Sequence, residues 1–359
     1  MPTFVFDRSM TTGGDWKPSQ TIKKVLDNLF TTIENKFPNQ VNYIIDTTWI
    51  EFKICELRSE YNRIGKIDNI FLCSTVDHPH TCNIPIPNDP NLKVYQVGNT
   101  KDQEFEKYRF NFWAITVNDL FKTYTENELR LVDFNNLKYF LCYQNKPHNH
   151  RQLFSHKILN LDILNKGILT LQKYQDRDFL YSNLQVMSLT ENIDTSCFMN
   201  PDQTILPPTE IDKSIPYSLG DLTIWKQCFL NVISETLNNN DSEFFITEKV
   251  WKPILGMRPF VINGKSEILN YLDKHNFYTF DEYWPDVDFR SCKTQEDTVD
   301  CCVRVVNTLC SLSQKEIKLM YLNMYPKLIH NRKRFFQFAK EQELKTTTLF
   351  DDIKNDISN

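Results

Sequence analysis

Short apolar runs alternate with amphipathic stretches along most of the chain. In the first part, apolar runs at residues 41–45, 69–76 and 92–97 predict β-strands. Residues 50–63, between the first two runs, fit an amphipathic helix only loosely. Strands that alternate with helical stretches are typical of α/β layering.

A second series opens with a predicted strand at residues 137–143 and a predicted helix from about residue 150 to 164. Residues 169–171 and 180–189 are further candidate strands, although the pattern of the second run is ambiguous. Residues 192–220 are rich in Pro, Thr, Ser and Asp, which predicts a loop or linker.

Beyond that linker the pattern predicts a β-α-β-α order, for which a parallel sheet is the economical arrangement. Residues 224–237 are apolar and predict a strand within the run, and residues 259–262 predict a buried strand. Residues 277–280 resemble another strand. Residues 238–241 predict an exposed turn, and residues 314–340 predict a helix.

The ends of two short helices are predicted by their terminal residues. Thr247 is a candidate N-cap for a helix that Gly256 ends, and Pro253 predicts a kink or an early stop within it. Ser266 is a candidate N-cap for the next helix. That helix should bury one apolar face, made of Ile268, Leu269 and Leu272.

Composition narrows the class of protein. Hydrophobic residues make up 41% and charged residues 24%, as in soluble globular proteins, and 359 residues suit two α/β halves that meet near residues 130–137. The net charge of −5 gives no indication of a nucleic-acid or anionic-membrane partner. The apolar runs are too short for a membrane span, and residues 1–10 lack the core of a signal peptide, so we expect a soluble, cytoplasmic protein.

Several familiar ligand motifs are absent. The chain has only 8 glycines and contains neither GxGxxG nor GxxxxGK[ST], which argues against a nicotinamide-binding or P-loop domain. Its 10 cysteines include no Cys-x-x-Cys pair and lie mostly in apolar runs, so we expect reduced, structural thiols. His78, His80 and Cys82 have ligand-like spacing, but no fourth zinc ligand is evident nearby.

The strongest candidate chemistry lies at the start of the Thr247 helix. Glu248 and Lys249 occupy its first turn, where backbone N–H groups and the helix dipole favour a phosphate. Lys249 could add a full charge against a diphosphate, and Glu248 could accept hydrogen bonds from ribose hydroxyls. The alternative is a helix cap followed by an ordinary solvated Glu–Lys pair, which is very common.

Residues 228–280 resemble the donor-binding domain of the α1,3-fucosyltransferase family and of related, mostly uncharacterised viral glycosyltransferases. That family has an apolar run ending in Glu, a short loop, Ile-Thr-Glu-Lys, an aromatic residue and then Gly-x-x-Pro followed by apolar residues. The matching pieces, in this order, are Val232-Ile233-Ser234-Glu235, the loop 238–243, Ile246-Thr247-Glu248-Lys249, Trp251 and Gly256-Met257-Arg258-Pro259-Phe260-Val261-Ile262.

The resemblance implies a GT-B fold, in which two Rossmann-like domains face a cleft, with a C-terminal helical tail. It assigns residues 1–132 to an acceptor-side α/β domain, residues 133–330 to the nucleotide-sugar donor domain and residues 331–359 to the tail. It also implies an inverting glycosyltransferase that moves a sugar, with GDP-fucose as the favoured donor, to a hydroxyl of a glycan or glycoprotein.

The family pattern also implies roles for single residues. By position, Glu248 would hold the donor ribose and Lys249 its pyrophosphate. Phe245 would lie where the family often has an aromatic side chain near the nucleotide. Glu235 and Thr236 would lie at the back of the same pocket.

Two further roles carry over from the resemblance. Arg151, after the first strand of the donor half, matches the family's phosphate-binding arginine, for which a planar guanidinium is well suited. The family's general base is a Glu followed by a small residue and Pro, and the nearest match is Asp77 in Asp77-His78-Pro79. The segment could instead be a simple turn, and His78, His80 and Asp46 are alternative bases.

A metal-dependent GT-A enzyme is a weaker alternative. Asp-x-Asp triplets, at residues 176–178 and 286–288, could bind a divalent metal, but neither follows a convincing nucleotide-binding unit. Because Arg151 and Lys249 supply positive charge, we expect no metal. Arg290 and the basic segment 330–334 could add to the donor pocket or be ordinary surface. A UDP-sugar transferase and a non-catalytic carbohydrate-binding scaffold also remain open.

Overall fold

A computed structural model describes most of residues 111–170 and 222–358, and four strands that precede them in the chain. The described residues are 5–6, 42–46, 69–74, 93–98, 111–121, 124–131, 134–144, 148–170, 219, 222–235 and 246–358. The chain divides into two compact units. One comprises Met1–Asp119, Ser242–Phe245 and Gln337–Asn359, and the other comprises Leu120–Asp241 and Ile246–Phe336.

The first unit contains a parallel four-stranded sheet. Its strands lie side by side in chain order, and each pairs in parallel with the next. The strands are β1 (Val5–Phe6), β2 (Asn42–Asp46), β3 (Asn69–Ser74) and β4 (Lys93–Gly98). The three strands predicted in this part of the chain are confirmed, with bounds that differ by one or two residues.

The second unit contains another parallel sheet of four strands, in the order β6-β5-β7-β8. The strands are β5 (Lys138–Tyr143), β6 (Ile168–Thr170), β7 (Cys228–Ser234) and β8 (Phe260–Asn263). Every residue of β7 is buried, as expected for an inner strand covered on both faces. The predicted α/β class and the parallel pairing are therefore confirmed.

The described helices agree with most of the amphipathic stretches. None of them is long and apolar enough to cross a membrane. They are α1 (Phe112–Phe121), α2 (Glu126–Leu129), α3 (Asn149–Asn160), α4 (Leu222–Gln227), α5 (Glu248–Leu255), α6 (Glu267–Lys274), α7 (Gln295–Ser311) and α8 (Gln314–Ser358), with 3-10 turns at Leu164–Lys166 and Asp281–Tyr283.

Some predictions of local structure are wrong. Residues 277–280 form no strand, and Phe280 adopts a left-handed backbone conformation with φ of 69°. By contrast, the strand predicted within the run at 224–237 is confirmed as β7, and the start of the run belongs to α4, which precedes β7 directly. Ser266 stands at the start of α6 but makes no capping hydrogen bond with its side chain. Pro253 does not stop α5, which continues to Leu255.

Other predictions fall outside the described residues. These are the loose helix at 50–63, the candidate strand at 180–189, the turn at 238–241 and nearly all of the linker at 192–220.

Aromatic side chains fix the position of α5 in the second unit. Trp251 lies on the buried side of α5, with its ring 5.6 Å from Phe277 and 5.3 Å from Phe335. Trp225 covers the end of the helix, where its Nε1 donates to the carbonyl of Gly256 at 2.9 Å. A Cβ on Gly256 would lie 2.3 Å from the Trp225 ring, so this close approach requires glycine. The C-terminal end of α5 is therefore tightly packed, and this packing supports the N-terminal end of the same helix.

Candidate functional site

The two central strands of the second sheet create a point where the chain connections diverge. β5 and β7 are neighbours, but the chain continues from β5 outward to β6 and from β7 outward to β8 on the other side. In open parallel α/β sheets, ligands bind at the carboxyl ends of the strands at such a switch point. The start of α3, which follows β5, and residues 234–235, at the end of β7, lie at this edge.

Glu235 is a buried carboxylate directly after β7, with no exposed surface. Its Oε1 accepts a hydrogen bond from the backbone N–H of Thr247 at 3.0 Å, and its Oε2 accepts one from the Thr247 hydroxyl at 2.7 Å. Burial raises the pKa of Glu235, while the charge of Lys249 and the bonds from Thr247 oppose that rise. The carboxylate thus anchors the residue that begins α5.

Thr247 is the N-cap of α5, as predicted. Its Oγ1 accepts hydrogen bonds at 3.2 Å from both the backbone N–H and the Nζ of Lys249. The N–H groups of Thr247 and Lys249 therefore have partners within the protein. What the helix start can offer a ligand is its dipole and the charges of its first turn.

Glu248 and Lys249 form an ion pair at this helix start, with 3.2 Å between Oε1 and Nζ. Their side chains are 14% and 26% exposed, so both reach the protein surface without being fully solvated. Burial acts to raise the pKa of Glu248, but the charges of Lys249 and Lys252 outweigh it and lower that pKa. Burial lowers the pKa of Lys252 to about 8, although Glu248 opposes the shift.

Arg151 lies in the first turn of α3 and is only 3% exposed. Its Nη2 donates to the backbone carbonyls of Ser234 at 3.0 Å and Glu235 at 2.8 Å. Burial lowers the pKa of Arg151, and the charge of Glu235 opposes that shift. The guanidinium therefore ties α3 to the end of β7, and its contact with a phosphate stays a prediction.

Two residues of this cluster were not singled out from the sequence. His150 Nε2 bonds to the carbonyl of Glu235 at 2.8 Å, so this nitrogen carries the proton. Burial, with the charge of Arg151, lowers the pKa of His150 well below its ordinary value and keeps the ring neutral. Asn263, at the end of β8, donates from Nδ2 to the carbonyl of His150 at 3.2 Å. Its position at a strand end was the available signal.

Three predicted site residues lie outside the described part of the chain, namely Phe245, Thr236 and Asp77. The same holds for His78, His80, Cys82 and the triplet at 176–178. Asp46 closes strand β2, and only its backbone is described.

The Asp-x-Asp triplet at 286–288 and Arg290 belong to a surface loop. Asp288 Oδ1 accepts the backbone N–H groups of Arg290 and Ser291, as a turn-forming aspartate does. Arg290 pairs with Asp273 and Asp281, each at 2.7 Å. Among the residues that the structure describes, no group of three or more His, Cys, Asp or Glu is arranged to hold a metal ion.

The basic segment 330–334 binds helix ends of the second unit. Arg332 donates to the carbonyl of Leu255, the last residue of α5, and Arg334 donates to the carbonyl of His275 at 2.8 Å. These side chains satisfy backbone carbonyl groups at the C-terminal ends of α5 and α6. Arg332 therefore lies at the opposite end of α5 from Glu248 and Lys249.

Comparisons with protein-family models, curated proteins and solved structures find no match to the chain. The function is therefore inferred from the side chains of the site itself. An ammonium and an ionised carboxylate lie side by side at a helix start, at the switch point of a parallel sheet. That arrangement suits a ligand that carries both anionic groups and hydroxyls.

Proposed function

We propose that the chain is an inverting glycosyltransferase that uses a nucleoside-diphosphate sugar, with GDP-fucose as the favoured donor. The observation that carries this proposal is the Glu248–Lys249 pair at the start of α5, beside the switch point between β5 and β7. The likeness of residues 228–280 to fucosyltransferase-like enzymes supports the same assignment. The two compact units, each with a parallel sheet, agree with the two domains of a GT-B enzyme.

In this mechanism Lys249 and the dipole of α5 bind the diphosphate, and Glu248 accepts hydrogen bonds from the ribose hydroxyls. An acceptor hydroxyl attacks the anomeric carbon as the bond to the diphosphate breaks, which inverts that centre. Asp77 takes the proton from the hydroxyl. Lys249 and Arg151 neutralise the charge that develops on the leaving diphosphate, so no metal is required by the proposal.

One observation favours a second candidate, a GT-B-like carbohydrate-binding scaffold without catalysis. Arg151 already donates to two backbone carbonyls, which gives it a structural role without any donor. In a transferase the same bonds would orient the guanidinium beside the end of β7. The two candidates differ in whether a nucleotide binds and whether a sugar is transferred.

The first test is calorimetric titration with GDP, UDP, ADP and CMP and their sugar donors, with and without EDTA. One diphosphate should bind selectively and insensitively to the chelator. Lys249→Ala should weaken that binding by about 10- to 100-fold, since a hydrogen bond to a charged group contributes about 1.5–3 kcal/mol. Lys274→Ala, an equal charge change at an exposed position of α6, should leave it unchanged.

A second assay separates the transferase from the scaffold. With the donor that binds, Asp77→Asn should retain affinity but lose transfer to an acceptor glycan. Binding of no nucleotide would contradict the proposal as a whole. Binding without turnover in the wild type, over a panel of acceptors, would favour the scaffold.

A further inference from the structure

A second group of reactive side chains lies in the second unit, between α7 and the loop before it. There a cleft of about 570 Å³ is lined by Asp286, Asp288, Cys292, Asp297, Cys301 and Arg304. The sulfur of Cys292, on the loop, lies 3.4 Å from the sulfur of Cys301, on α7. Both are free thiols; Cys301 is buried and Cys292 is half-buried.

The surrounding contacts hold the two sulfurs together. Both sulfurs lie near the carbonyl oxygen of Asp288, Cys292 at 3.5 Å and Cys301 at 3.8 Å. A capping box between Thr294 and Asp297 fixes the start of α7 between the two cysteines. A disulfide has an S–S distance of about 2.0 Å, so modest side-chain rotations would close the gap.

A cation also contacts one sulfur of the pair. Arg304 Nη2 donates to the sulfur of Cys301 at 3.3 Å. A guanidinium in this position stabilises negative charge on the sulfur as it reacts and repels a metal cation. Because Arg304 contacts Cys301 and not Cys292 in the described hydrogen bonds, Cys301 is the better first nucleophile. Burial and the neighbouring Cys301 sulfur raise the pKa of the Cys292 thiol.

We propose that Cys292 and Cys301 are a reversible redox pair that forms a disulfide when the protein reacts with a peroxide. The Cys301 sulfur attacks one peroxide oxygen and becomes a sulfenic acid, while the O–O bond breaks and the other oxygen leaves as water. The Cys292 thiol then attacks the Cys301 sulfur, and a second water leaves. Two thiols and one hydrogen peroxide thus give one disulfide and two waters, and a dithiol reductant reverses the change.

Tryptic mapping of the full chain provides a direct test. Cleavage after Arg290, Lys293 and Arg304 releases peptides 291–293 and 294–304, each with one member of the pair. After mild peroxide treatment and alkylation, the two peptides should appear joined, with the mass of two hydrogens lost. Dithiothreitol should separate them. Fragmentation should place the link at Cys301 and not at its neighbour Cys302.

Variants separate the pair from general oxidation. In Cys292→Ser, a sulfenic acid on Cys301 should accumulate and be trapped by dimedone, whereas Cys310→Ser should leave the disulfide unchanged. When peroxide is added in denaturant, Cys292 should form disulfides with Cys301 and Cys302 without preference. Full alkylation of both thiols after peroxide, or a link through Cys302 in the folded protein, overturns the proposal. A tightly bound zinc ion that blocks both thiols also overturns it.

Discussion

Glu235 receives both polar hydrogens of Thr247, the backbone N–H at 3.0 Å and the hydroxyl at 2.7 Å. One carboxylate thus joins the end of β7 to the start of α5. Thr247 in turn accepts two hydrogen bonds from Lys249. The lysine that is proposed to bind the sugar donor is therefore positioned by a buried network. Such support is what a preorganised binding site requires.

Replacement of Glu235 by Gln should change how stability depends on pH. An unfolded glutamate has a pKa of about 4.3, and burial raises the folded pKa of Glu235 above that. The folded state then binds more protons, so the free energy of unfolding falls as pH rises through the folded pKa. Glu235→Gln does not titrate at this position, so urea unfolding should show its stability gaining on that of the wild type as the pH rises above about 4.3.

Glu235→Ala provides the contrast at a single pH. It leaves the N–H and hydroxyl of Thr247 without their acceptor, and each unsatisfied buried group costs about 1–3 kcal/mol. The alanine variant should therefore be less stable than the glutamine variant at every pH. Parallel pH profiles for wild type and Glu235→Gln would show that the carboxylate does not titrate differently in the folded state.

Much of the frame around this network could be predicted from local sequence. The apolar runs at 137–143 and 259–262 correspond to β5 and β8, and the cap at Thr247 is confirmed. These features depend on residues close together in the chain, for which periodicity and capping preferences are direct signals.

The remaining features depend on contacts between distant residues. The apolar run at 277–280 resembles a strand, but Phe277 and Phe280 are buried by packing on Trp251 and Phe260 without any strand partner. Similarly, nothing local to Arg151 indicates that its guanidinium donates to carbonyls 83 and 84 residues away. Apolar runs report burial, and buried helix, strand and loop cannot be separated by periodicity alone.

Lys252 should titrate near neutral pH. Burial lowers its pKa to about 8, against about 10.4 for an exposed lysine. Its ammonium therefore loses its proton across a range in which an exposed lysine stays charged. If the proposed function holds, the affinity for the diphosphate should fall between about pH 7 and pH 9, because a nearby cation is lost.

Methyl-lysine NMR can measure this titration directly. After reductive methylation with a carbon-13 label, one resonance should shift with a midpoint near pH 8. Lys252→Arg should remove that resonance and also the fall in diphosphate affinity, since arginine stays protonated. Lys274→Arg, at an exposed position of α6, should change neither the resonance nor the affinity. If all lysine midpoints lie near pH 10.4, burial does not lower the pKa of Lys252.

Arg258 is a buried cation whose hydrogen bonds, within the described residues, all go to backbone carbonyl oxygens. Nε donates to Cys228 at 2.8 Å, Nη2 to Trp225 at 2.8 Å and Nη1 to Leu129 at 2.7 Å, with two longer bonds from Nη1 to residues 256 and 257. Burial lowers the pKa of Arg258 to about 10, so it remains charged at neutral pH. The guanidinium joins α2, α4, the start of β7 and the turn between α5 and β8.

Arg258→Lys should therefore destabilise the protein by about 3–5 kcal/mol, because a lysine keeps the buried charge but cannot reach all five carbonyls. Arg290→Lys is the matched control. Arg290 forms two ion pairs with aspartates, yet it is 34% exposed, and surface pairs contribute only about 0–1 kcal/mol. Urea unfolding should thus show the larger loss of stability in Arg258→Lys, although Arg290 is the arginine that forms two ion pairs. Equal losses in the two variants would mean that the buried carbonyl bonds of Arg258 contribute no more than a surface pair.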